Sequence, residues 1–159
     1  NSNLVLEANK CYTISGPVIM ASGTNLIINE GVTIEAEASG ADVYIAISQG
    51  AKITANGTAS NPIVMTSGAA NPAAGDWGGL IILGRAPINS VTGSATSTSE
   101  IASLPFGGTN AADDSGTIRY VRVEYSGGAA DGQSENNGFS FYGVGNSTIV
   151  EYIQAFEGN

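Results

Sequence analysis

The 159 residues contain no histidine, so neither a Ser-His-Asp triad nor a histidine metal site can be built from this chain. The single cysteine, Cys11, has no imidazole to activate it and reads as a small buried or half-buried thiol near an N-terminal cap rather than a nucleophile. Carboxylates are what remain for acid, base or cation chemistry. Asp113 and Asp114, followed by Ser115 and Gly116, are the densest acidic site. Side by side in a loop they could share a calcium ion, which takes about six to eight oxygen ligands, and Asp131, Glu135 and Asn136 could add donors if the two loops meet. The competing reading is a solvated turn, because Asp and Gly favour turns. Arg122 and Glu124 stand two apart on one strand and therefore share its outer face, opposite Val121, Val123 and Tyr125. They describe either a surface ion pair worth a fraction of a kcal/mol or a catalytic pair at a groove. Glycoside hydrolysis would need two carboxylates roughly 5 to 9.5 Å apart, which Glu124 could achieve with Glu157 or Asp114 only through the stacking of distant segments. Trp77 and Tyr142 could stack on a sugar ring. Against that, the glycines beside Trp77 let a large ring fold onto the backbone, and Tyr142 faces outward only if Phe139 and Phe141 face inward.

These residues must be positioned by β-structure. Apolar residues come in short runs or strict alternation bounded by Gly, Asn, Ser and Pro, with almost no helical spacing. The clearest strands are 25–28, 32–34, 43–47, 52–54, 63–65, 80–83, 118–125, 138–142 and 148–156. Residues 26–36 and 45–55 match at an offset of 19, with Leu26, Ile28 and Ile34 over Ile45, Ile47 and Ile53 and with Gly31 beside Gly50 at a corner. A repeat of that length predicts one coil of a solenoid. A weaker echo sets Tyr120-Val121-Arg122-Val123 over Tyr152-Ile153-Gln154-Ala155, 32 residues on, with a polar loop from Gly127 to Asn137 between them; Tyr120 and Tyr152 would then form a ladder. The expected fold is all-β, a parallel β-helix in preference to a β-sandwich, since tight hairpin signals are scarce. Residues 90–99, rich in Ser and Thr, read as a long external loop or disordered spacer.

Composition agrees. Glycine supplies 22 residues, about twice the usual share, while charged residues make up only 12% of the chain, which excludes a coiled coil. Hydrophobic residues at 42% exclude ordinary disorder. A net charge of −9 leaves no basic surface for nucleic acid or anionic membranes. No run long enough for a membrane helix occurs, so insertion of this segment into a membrane is not expected.

The motifs also carry a resemblance. Leu26-Ile27-Ile28-Asn29-Glu30-Gly31-Val32-Thr33-Ile34, Gly50-Ala51-Lys52-Ile53-Thr54-Ala55-Asn56-Gly57-Thr58, Gly75-Asp76-Trp77-Gly78-Gly79-Leu80-Ile81-Ile82-Leu83-Gly84-Arg85-Ala86-Pro87-Ile88-Asn89 and Ile118-Arg119-Tyr120-Val121-Arg122-Val123-Glu124-Tyr125 resemble a family of exported right-handed parallel β-helix proteins found widely in Bacteroidota and related marine bacteria. The resemblance covers nearly the whole chain. It implies a right-handed helix and a secreted or outer-surface location, often with a sorting tail or surface anchor, and it carries no settled catalytic assignment. Family members usually continue through an acidic segment into further coils. The resemblance therefore implies that residues 1–159 are one domain, truncated at its C-terminal end as the N-terminal portion of a longer helix, with the last coil covered by further chain or by another chain.

The function expected from this reading is a non-catalytic extracellular or cell-surface scaffold, adhesin or assembly subunit that presents lateral loops to a protein partner, to a second copy or to a glycan, with no cofactor apart from the calcium considered above. The alternative is a carbohydrate-active enzyme, a polysaccharide lyase or glycoside hydrolase, with Asp113, Asp114, Arg122 and Glu124 lining a groove. Polysaccharide lyases on this fold use a basic residue near calcium to abstract a proton, a role Arg122 would take; fold analogy alone supports it.

Overall fold

Strands of three to nine residues survive only if every backbone group finds a partner in a neighbouring strand, and here the neighbours belong to the coils before and after. The computed structural model describes residues 2–90, 92–130 and 135–159. Among them no helix forms, and none is long and apolar enough to cross a membrane. The first coil is β1 (Leu4–Leu6), β2 (Cys11–Ile14) and β3 (Val18–Met20), and the second is β4 (Asn25–Ile28), β5 (Thr33–Ala36) and β6 (Ile45–Ile47). The third is β7 (Lys52–Asn56), β8 (Ile63–Ser67) and β9 (Leu80–Leu83). An antiparallel hairpin, β10 (Thr96–Thr98) with β11 (Pro105–Gly107), then leaves the stack before β12 (Gly116–Glu124), β13 (Phe139–Tyr142) and β14 (Ile149–Phe156).

All other pairings between strands are parallel and define three faces. The first face is β1–β4–β7 and the second β2–β5–β8; both continue onto β12, whose first half pairs with β7 and second half with β8, and then onto β14. The third face is β3–β6–β9–β13. The chain is thus a parallel β-helix, and its alternating residues point inward in columns. Leu6, Ile28, Ala55, Ile118 and Val150 align on the first face, Tyr12, Ile34, Met65, Val123 and Ala155 on the second, and Val18, Ile45, Leu80 and Phe139 on the third. Ile28, Ile34, Ile45, Met65 and Leu80 are fully buried in one continuous core, each such side chain stabilising the fold by about 1.5–3 kcal/mol.

The 19-residue frame does not set this stacking. Leu26 pairs with Leu4 and Ile53, and Ile45 with Val18 and Leu80, so Leu26 and Ile45 lie on different faces of one coil. Nor do Gly31 and Gly50 share a corner: the Gly31 amide donates to the Asn61 carbonyl between the first two faces, whereas Gly50 accepts from the Gly23 amide between the third face and the first. Both glycines have positive φ, 69° and 78°, and each coil needs such a turn more than once. A strand, a glycine corner and a second strand therefore recur within a coil, and the self-match compared successive corners rather than successive coils. The fainter echo gives the true register: Val121, Arg122 and Val123 pair with Ile153, Gln154 and Ala155.

The stretch read as a long external loop or spacer contains β10, whose hairpin with β11 lies over the third face. Ala46, Ile81 and Leu83 point outward there, yet are buried beneath the excursion that carries β10 and β11, in a second cluster with Ile101, Leu104 and Phe106. Ser99 anchors it, donating to the Ile101 carbonyl at 2.6 Å and accepting from the Leu104 amide at 3.0 Å.

Candidate functional site

Alternation on the second face directs Arg122 and Glu124 outward while Val121 and Val123 are buried. Register then adds residues that lie far away in the chain. Cys11, Thr33, Val64, Arg122 and Gln154 form one outward column, and Thr13, Glu35 and Thr66 lead to Glu124 and Phe156 in the next. The Arg122 Nε lies 2.5 Å from Glu124 Oε1, and the Thr66 hydroxyl donates to Glu124 Oε2 at 2.8 Å. Both Glu124 oxygens are thereby engaged, and its side chain is only 11% exposed against 44% for Arg122. Glu35 is separated from Glu124 by the rung of Thr66, which puts their backbones about 9.6 Å apart. That pairing of carboxylates was not foreseen, because it depends on coil lengths rather than local spacing.

Beside this column, at the corner between the first and second faces, lies a groove of about 170 Å³ lined by Pro62, Tyr120, Val121, Arg122, Tyr152 and Gln154. Tyr120 and Tyr152 form the anticipated ladder, with ring centroids 4.5 Å apart and planes 8° from parallel. Both have left-handed backbone, φ 50° and 54°, which bends β12 and β14 from one face to the next through a single residue. The same corner takes residues 57–62 in the third coil. Tyr152 is 67% exposed. The signal for the groove was the echo that set Tyr120 and Arg122 over Tyr152 and Gln154.

The remaining candidates are dispersed. Trp77 is completely buried and its indole N–H donates to the Glu124 carbonyl at 2.8 Å; it is a core residue and offers no surface platform, a correction that follows from its ring packing in the interior cluster. Phe139 and Phe141 pack on the interior core, and Tyr142 faces outward as the alternation predicts. It is covered there by Phe106, with ring centroids 4.8 Å apart, and burial followed by the nearby Glu100 raises its hydroxyl above the usual tyrosine range. Asp113 is buried and accepts from the Ser115 hydroxyl at 3.1 Å. Asp114 instead pairs with Lys52 and accepts from the Gly116 amide; the Lys52 hydrogen bond holds its carboxyl below the usual range. The adjacent aspartates thus take separate partners, and Asp131 lies outside the described residues. Among those residues no group of three Cys, Asp or Glu side chains converges as a metal site. Cys11 is exposed on the outer face rather than buried. Its thiol is pushed up by desolvation, then by Glu35, which disfavours the reactive thiolate.

Parallel coils stacked through three faces, with a lateral groove at one corner, define a parallel β-helix. In keeping with this, residues 1–159 match the family described as "Pectate-lyase like beta helix domain", and the chain belongs to that family. No curated protein and no solved structure matches it.

Proposed function

We propose that this protein is a non-catalytic extracellular or cell-surface β-helix, a scaffold, adhesin or assembly subunit whose lateral surface engages a partner or a glycan. The observation that carries this reading is the closed arrangement of Arg122, Glu124 and Thr66. A base must be within reach of a substrate proton, but the Arg122 Nε is committed to Glu124, and both Glu124 oxygens are committed to protein donors. The adjoining groove, by contrast, stays open and partly aromatic. The extracellular location is supported by the resemblance of the motifs to exported β-helix proteins.

A second reading, a polysaccharide lyase or glycoside hydrolase, draws support from the alignment of Glu35, Thr66 and Glu124 on one column beside Arg122 and from membership of a pectate-lyase-like family. Turnover separates the two. Incubation with polygalacturonate and with neutral polysaccharides, followed by unsaturated-product absorbance and by reducing ends, is expected to give no product above a heat-denatured control. Product that disappears in Arg122→Ala would establish the enzyme reading in its place.

A further inference from the structure

We infer that Asn137 is a self-modification site: in the folded chain the Gly138 amide nitrogen attacks its carboxamide and converts it to isoaspartate and aspartate. The inference is independent of what the lateral surface binds.

The chemistry needs an asparagine with an accessible side chain, followed by a backbone nitrogen that is neither crowded nor engaged in the sheet. The Gly138 nitrogen bonds to the Asn137 side-chain carbonyl carbon. The bond from that carbon to the amide nitrogen breaks, and ammonia leaves with the proton given up by the Gly138 N–H. The resulting cyclic imide takes up one water, which opens it at one carbonyl to give isoaspartate or at the other to give aspartate. No oxidant, reductant or cofactor enters. Glycine is the follower that favours the attack, because it carries no Cβ and its backbone turns freely.

The sequence holds two Asn-Gly dipeptides, Asn56-Gly57 and Asn137-Gly138, and the fold treats them oppositely. Asn56 ends β7 as the register partner of Arg119, and the Gly57 amide donates to the Arg119 carbonyl at 2.9 Å. A Cβ at Gly57 would lie 2.5 Å from the Tyr120 carbonyl oxygen and 2.9 Å from the Ile63 nitrogen. That nitrogen is both committed and enclosed by backbone, so attack would require it to leave the ladder.

Asn137 is exposed, between the loop of residues 127–137 and the start of β13. The loop is fixed just before it, where the Asn136 amide donates to the Gly128 carbonyl at 3.0 Å, and β13 is fixed just after it, where the Gly138 carbonyl accepts from the Leu80 amide at 3.0 Å. Between these anchors, no backbone acceptor among the described residues meets the Gly138 amide. A Cβ at Gly138 would approach side-chain atoms alone, Ser126 Oγ at 3.2 Å being the nearest, so no neighbouring backbone encloses the nitrogen. The adjacent Asn136 is buried and is followed by Asn137 rather than by glycine, which leaves Asn137 as the reactive member of the pair.

The position gives the reaction a structural consequence. Isoaspartate adds a methylene to the main chain immediately before Phe139 pairs with Leu80 on the third face. The Asn137 carbonyl packs against Gly79, whose φ is 82°, so the longer backbone strains the entry to β13. Either product also adds a carboxylate close to Glu135 on a chain of net charge −9.

The test incubates the 159-residue chain in mildly alkaline buffer made with heavy-oxygen water, followed by digestion in acid and peptide mapping by mass spectrometry. Asn137 is expected to gain the mass of amide-to-acid conversion with one heavy oxygen, about tenfold or more faster than Asn56, and faster still as pH rises, because the attacking nitrogen must lose its proton. Gly138→Ala should slow the conversion about tenfold or more. In guanidinium, where the ladder that protects Gly57 is gone, the two sites should convert at similar rates. The acidic form separated by anion exchange should melt below the starting chain. Conversion of Asn56 as fast as Asn137 in the folded chain overturns the inference, as does an Asn137 that stays intact when folded and converts only in guanidinium.

Discussion

Lys52, Arg119 and Arg122 each meet a carboxylate, Asp114, Glu151 and Glu124 respectively. The first two pairs are exposed on both sides and worth at most about 1 kcal/mol each, so they shape the surface more than they hold the fold, whereas Glu124 is nearly buried. The alternation of one strand was enough to place Arg122 and Glu124 on an outer face. It could not reveal that Thr66 caps the same carboxylate or that Glu35 lies one rung beyond, because those contacts join residues on different coils. Asp114 gives a pH test. Lys52 holds its folded-state carboxyl below the ordinary range, so its contribution is complete above the unfolded pKa of about 3.9 and fades as pH falls through the folded value. Asp114→Asn should therefore lower stability by less than about 1 kcal/mol at neutral pH, and the gap between the two proteins in urea denaturation should close in acid. A gap that widens in acid would show that Asp114 stabilises the fold by some means other than its charge.

Trp77 shows what a single element can require of its neighbours. Its backbone bridges Gly40 on one side and Ser126 on the other, its ring fills the core, and its N–H satisfies the Glu124 carbonyl at the end of β12. Trp77→Ala should cost about 3–5 kcal/mol from the cavity. Trp77→Phe, which keeps most of the apolar volume but leaves that carbonyl without its donor, should cost about 1–3 kcal/mol. Chemical denaturation followed by circular dichroism would check the order; equal losses would mean that the ring's apolar volume contributes nothing beyond the indole hydrogen bond. At this scale the sequence was legible wherever a strand was sandwiched between coils. The expected strands at 25–28 and 80–83 coincide with β4 and β9, and 118–125 differs from β12 only at its ends. The first coil was not anticipated: Leu4-Val5-Leu6 and Val18-Ile19-Met20 are apolar on both faces, with Val5 and Ile19 exposed, and so lack the alternation that marks a strand. Thr96–Thr98 is wholly exposed and carries no apolar signal. Gly116 opens β12 because its φ is 112° and a Cβ there would sit 1.9 Å from the Ile53 carbonyl oxygen, a requirement visible only once β7 is beside it.

For the molecule as a whole, coil length is the quantity that local pattern did not contain. Leu4 pairs with Leu26 and Leu26 with Ile53, but Ile53 pairs with Gly116 because the hairpin excursion is inserted between β9 and β12. A solenoid tolerates such insertions because each rung interacts only with its neighbours. The repeating strands therefore disclosed the architecture, while the corner groove, assembled across coils of unequal length, was visible only in the echo between residues 120–123 and 152–155. The excursion covers the third face and leaves the corner groove between the first two faces clear, which is why the proposed contact with a glycan is placed at Tyr120, Arg122, Tyr152 and Gln154. Amide chemical-shift mapping of the labelled chain titrated with laminarihexaose and cellohexaose tests that assignment directly. With at least one of these ligands, perturbations should concentrate at residues 119–122 and 151–154 and leave the hairpin at 96–107 unmoved. Perturbations centred on the hairpin, or none with either oligosaccharide, would contradict it.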